Sequence, residues 1–158
     1  MKKVLCLVMS IIVVLSSTIS VGATSSSRTA KNKSLSATIT SNAWIQTISD
    51  WDGTGEFQVS AVYKSTNSKY AKPAWVKTAW DFYAIGICAG VSYKAVSVSV
   101  EGYGATKSSS GYWKNSNGAK TAWWRGRVGG TGFCLYVGLY NTASAYKSGV
   151  ALSTTAKI

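Results

Sequence analysis

The chain has 158 residues, with 17 Lys or Arg, 5 Asp or Glu and no His, for a formal charge of +12. Without histidine it has no Ser/His/Asp or Cys/His nucleophilic site, no imidazole metal cage and no histidine pH switch. Hydrophobic content of 46%, 12% aromatic residues and a single Pro exclude a disordered composition, and the length suits one ordinary domain or two very small ones.

The first segment has the pattern of a signal peptide. Lys2 and Lys3 make a positive start and residues 4–14 are almost wholly apolar. Val21, Gly22 and Ala23 put small residues where a signal peptidase cuts, so cleavage is expected after Ala23. Ser10, Ser16, Ser17, Thr18 and Ser20 interrupt the apolar run before it reaches the ~20 residues that span a bilayer. A secreted, extracellular product of charge near +10 is therefore expected, since only Lys2 and Lys3 leave with residues 1–23. Cys6 leaves too, and Cys88 and Cys134 remain as an even pair in an oxidising destination. One disulfide is the default expectation, contributing ~3–4 kcal/mol if unstrained.

Residues 24–34, TSSSRTAKNKS, are polar, basic and aperiodic, and are expected to form a flexible lead-in to a single β domain over 35–158. From residue 35 the apolar period is two. Leu35, Ala37 and Ile39 alternate with polar neighbours, as do Phe57, Val59, Ala61 and Tyr63, then Val96, Val98 and Val100. Phe133, Leu135, Val137 and Leu139 follow, then Val150 and Leu152. Each run is short and ends at Gly, Asn, Ser or Asp, so the expected fold is all-β, an antiparallel β-sandwich or small barrel. Between Tyr93 and Val96 the apolar phase shifts by one residue, which predicts a bulge or a break between two strands.

An internal echo suggests two similar β units, over 35–94 and 95–158. Lys77-Thr78-Ala79-Trp80 recurs as Lys120-Thr121-Ala122-Trp123, and each copy precedes a Gly-x-Cys triplet ending at Cys88 or Cys134.

Seven Trp, nine Tyr and three Phe carry the functional signal, and many stand beside basic residues. Examples are Lys69-Tyr70, Trp75-Val76-Lys77, Trp113-Lys114 and Trp123-Trp124-Arg125-Gly126-Arg127. Strand alternation puts Ala122, Trp124, Gly126 and Val128 on one face and Trp123, Arg125 and Arg127 on the other. Trp123, Arg125, Arg127, Trp113, Lys114, Trp75 and Lys77 are thus the candidate surface-binding residues. Indole tolerates the boundary between apolar and wet, and Arg engages phosphate or carboxylate through two parallel hydrogen bonds.

Secretion argues against a specific nucleic-acid target, although so basic a protein binds one nonspecifically at low salt. The expected partner is an anionic cell-envelope polymer, membrane lipid or glycan, approached electrostatically and docked through aromatic rings, as in a bacteriocin-like antimicrobial. An extracellular carbohydrate-binding module is the alternative. The Lys/Asn/Ser-rich turn and aromatic, basic strand over residues 112–128 resemble secreted β-sandwich bacteriocins of the lactococcin kind. The chain lacks the histidines those proteins often carry, and no functional residue transfers.

Catalysis is not expected, nor is a cofactor. A small glycoside hydrolase would have to use Glu56 and Glu101, held ~5–5.5 Å apart if retaining. Asp50, Asp52 and Glu56 sit in a seven-residue run with Gly53, shorter than an EF-hand loop, and an Asp-Gly hairpin turn is the expected structure rather than a metal site.

Overall fold

The computed structural model describes residues 23–46, 54–87, 93–94, 98–102, 110–130 and 134–158, with side chains except at 54, 84–87, 93–94, 98–102, 129–130 and 134–135. It is an all-β fold of two packed antiparallel sheets. The first sheet orders its strands β1 (Ala23–Asn32), β2 (Ala37–Gln46), β3 (Thr54–Ser65), β8 (Thr121–Gly130) and β6 (Val98–Gly102). The second orders β10 (Val150–Lys157), β9 (Cys134–Lys147), β4 (Trp75–Ile87) and β5 (Tyr93–Lys94), with β7 (Ser110–Asn115) also paired to β4.

The alternating residues do what period two requires. Ile39, Phe57, Val59, Ala61, Tyr63 and Leu139 are completely buried, and Leu35, Ala37, Val137 and Leu152 nearly so. Two apolar clusters result. One is aromatic, with Phe57 edge-on to Phe82 at 4.8 Å and Trp80 beside them, and the other is built mainly of alanines around Tyr63.

A polar layer of Ser41, Thr78 and Asn141, all fully buried, lies in the same interior. Thr78 Oγ1 donates to Asn141 Oδ1 at 2.6 Å, and Asn141 Nδ2 donates to the Asn42 and Ser60 carbonyls at 2.8 and 3.0 Å. Ser41 Oγ donates to the Asn141 carbonyl at 2.6 Å, and Asn141 Nδ2 also reaches Ser41 Oγ at 3.0 Å. An amide buried without such partners would be strongly disfavoured, so these bonds fix how β9 sits against β2 and β3.

Several expectations change. Residues 24–34 are not a lead-in: Ala23–Asn32 pairs with β2 in register from Ala23↔Gln46 to Asn32↔Ala37. Hydroxyl and amide side chains on its outer face supply cross-strand bonds where apolar periodicity is absent, such as Ser27 Oγ to Asn42 Oδ1 at 2.8 Å. The phase shift after Tyr93 is a break between strands, because Tyr93–Lys94 belongs to the second sheet and Val98–Gly102 to the first. The two Lys-Thr-Ala-Trp copies lie in different sheets with opposite facing. Thr78 and Trp80 point inward, whereas in the second copy Ala122 is buried and Trp123 is exposed. The β9–β10 hairpin closes over two residues, Ser148 and Gly149, with φ of 49° and 81°, as a tight primed turn demands.

Of the expected signal segment only Ala23 is described, as the first residue of β1, and Cys88 and the Asp-Gly turn after Gln46 lie outside the described residues. Of Cys134 only the backbone is described, opposite Gly86 of β4.

Candidate functional site

The expected binding residues divide between two surfaces. Trp123, Arg125 and Arg127 project from the outer face of the first sheet, with Trp123 58% exposed. Trp75, Lys77 and Lys114 project from the outer face of the second. Trp113 stands at the edge between them, 45% exposed and tilted against Trp124 at 5.6 Å, and Trp124 stacks at 5.5 Å on buried Trp80.

On the second sheet, basic groups and rings meet across strands rather than along the chain. Lys77 Nζ lies 4.6 Å from the centre of the Tyr112 ring, and Lys114 Nζ lies 5.0 Å from that of Trp75. Trp75 in turn stacks on Tyr146 at 6.0 Å with 11° between planes. Further along the same face Lys157 Nζ sits 5.5 and 5.1 Å from the Tyr83 and Tyr140 rings. Such ammonium-over-ring contacts are worth ~0.5–1 kcal/mol where exposed, and they present positive charge and aromatic surface together.

Tyr83 anchors the far end of this face. Its ring lies across Gly138, its registered partner on β9, and a Cβ there would come within 2.1 Å of Tyr83 Cζ. Its hydroxyl donates to the Ile158 carbonyl at 2.7 Å. Burial, then the hydrogen bond and charge of Tyr136 and the charge of Tyr140, push the Tyr83 phenol up to about 12. Asp81 shares the face, in register with Tyr140.

The outer face of the first sheet has a different composition. Cross-strand rows run Ser25, Trp44, Gln58, Arg125 and then Ser27, Asn42, Ser60, Trp123. Arg125 is ion-paired with Glu56, whose backbone N–H is capped by Gln46 Oε1 at 3.1 Å. Glu56 and Glu101 both stand opposite Arg127 on the strands either side of it. Two strand spacings put their backbones ~10 Å apart. Among the described residues, no cluster of three potential metal ligands occurs.

Tyr112, Tyr146, Tyr83, Tyr136, Tyr140 and Lys157 were not among the residues expected from sequence. The signal was available for part of this set. In β9, Tyr136, Tyr140 and Tyr146 alternate against the buried phase of Val137 and Leu139, so period two alone turns them outward. Pairing each ring with its chain neighbour obscured this, because neighbours along a strand face opposite ways.

No protein-family model matches the chain, and no curated protein matches it.

Proposed function

We propose that the protein is an exported, non-catalytic binding protein that attaches to anionic bacterial envelope surfaces, in the manner of an antimicrobial bacteriocin, with the outer face of the second sheet as its docking surface. One observation carries the reading: Trp75, Tyr112, Tyr140 and Tyr83 share one face with Lys77, Lys114 and Lys157, each ammonium held over a ring. Lysines near an anionic surface contribute about 1 kcal/mol each, so three amount to roughly a hundredfold in affinity. The rings suit the wet boundary of a membrane or polymer layer.

Binding to vesicles containing an anionic phospholipid, and to poly(glycerol phosphate), tests the reading. The combined variant Lys77→Ala, Lys114→Ala, Lys157→Ala should lose roughly a hundredfold at low salt, and added salt should weaken the wild type. Unchanged binding by the triple variant would remove this face from the function. Growth inhibition of related bacteria, reduced in the same variant, tests the antimicrobial part.

A further inference from the structure

We infer that the outer face of the first sheet is a second binding site, and that it takes a neutral polysaccharide chain. It stands apart from the cationic face of the second sheet, and either can fail alone.

A shallow depression of about 450 Å³ crosses β1, β2 and β3, lined by Ser25, Ser27, Asn42, Trp44, Gln58 and Ser60 among others. Among the described residues, none of its lining side chains is ionisable. The polar groups are chained: Ser27 Oγ donates to Asn42 Oδ1 at 2.8 Å, and Asn42 Nδ2 donates to Ser60 Oγ at 3.0 Å. This holds the amide in one orientation and lays polar groups in a row across the depression. Charges stand at the margins. Lys31 and Lys64 flank Thr38 at one end, and at the other Arg125, which lines the hollow beside Trp123 and stands opposite Gln58, is ion-paired with Glu56.

Fixed amides and hydroxyls match sugar hydroxyls, and indole faces match the C–H faces of pyranose rings. Trp44 is half-buried and Trp123 is 58% exposed, so both rings are reachable. They stand two strands and one row apart, a separation of ~12 Å from strand spacing and rise. One sugar cannot touch both, so the ligand is a chain that runs obliquely over Asn42, Gln58 and Ser60. A polyanion would find the lysines and rings of the other face instead.

Retention of the full-length protein on chitin, an insoluble β-glucan and starch, at low and high salt, tests this. Retention on at least one of the three should survive high salt and fall at least roughly tenfold in Trp44→Ala and in Trp123→Ala. Trp44→Phe, which keeps a ring, should recover most of it. The triple lysine variant should be retained like the wild type, which separates this site from the cationic face. Should Trp44→Ala fail to fold, the exposed positions Trp123→Ala and Gln58→Ala carry the test. The inference is overturned by no retention on any of the three, by retention that salt abolishes, or by retention indifferent to these variants. It is equally overturned if the wild type is a dimer that Trp123→Ala converts to monomer, because a second copy would then cover the face.

Discussion

The two outer faces grow from one interior yet differ in chemistry. Both carry cross-strand hydroxyl pairs, Thr29 with Thr40 on the first sheet and Thr142 with Thr155 on the second, each at 2.9 Å. The difference lies in where charge meets ring. On the second sheet lysines sit over aromatic faces. On the first, Arg125 is ion-paired with Glu56, and the centre is amide, hydroxyl and indole. Alternation explains how this arises, since inward residues fix the fold and outward ones are free to diverge.

Both faces stand on one interior, and Asn141 is the residue that ties the two sheets together there. Asn141→Ala leaves Thr78 Oγ1 and the Asn42 and Ser60 carbonyls without their buried partner and removes the Nδ2 bond to Ser41 Oγ, although Ser41 keeps its bond to the backbone carbonyl of residue 141, and should cost about 3 kcal/mol in denaturant unfolding. Both binding activities should then vanish in a single transition. Two separate transitions would mean that the sheets fold as independent halves.

Gly138→Ala should discriminate between the faces. It drives a Cβ into the Tyr83 ring and should cost ~1–3 kcal/mol, weakening vesicle binding while glycan retention persists below the lowered melting point. Equal loss of both would show that the faces are mechanically linked.

A smaller effect is expected from Glu56→Gln. The exposed ion pair contributes little, so stability should move by less than ~1 kcal/mol. Arg125 would lose its neutralising carboxylate, and the first face should gain weak, salt-sensitive anion binding. If it gains none, Arg125 is not what keeps the two faces electrostatically distinct.

The smallest effect concerns alkaline pH. Because the folded Tyr83 phenol titrates near 12 against an ordinary 10.0, the folded state holds its proton after the unfolded chain has released it. This stabilisation is complete below pH 10 and is lost as pH rises towards 12. Tyr83→Phe should flatten the fall in thermal stability across that window, and an unchanged slope would remove Tyr83 as its source.

Much of the fold is legible in the sequence because buried apolar residues keep period two: residues 57–63 and 137–139 identify their own inward faces. The strand Ala23–Asn32 was not legible because it lacks apolar alternation: it pairs with β2 along its whole length, Ser27 and Thr29 bond across the outer face, and the small Ala30 packs against the core. The facing of Trp123, Arg125 and Arg127 opposite Trp124 could be read from alternation. That Lys114 meets Trp75 and Lys77 meets Tyr112 could not, because these contacts depend on the β4–β7 register, which no local pattern encodes.

The tryptophan stack has a practical consequence. Trp80 and Trp113 belong to the second sheet and Trp124, sandwiched between them, to the first. Their near-ultraviolet transitions are therefore coupled only while the two sheets stay closed. The molecule contains its own optical gauge of sheet separation, so its circular dichroism can report whether contact with a surface leaves the sandwich shut or opens it, with no label added.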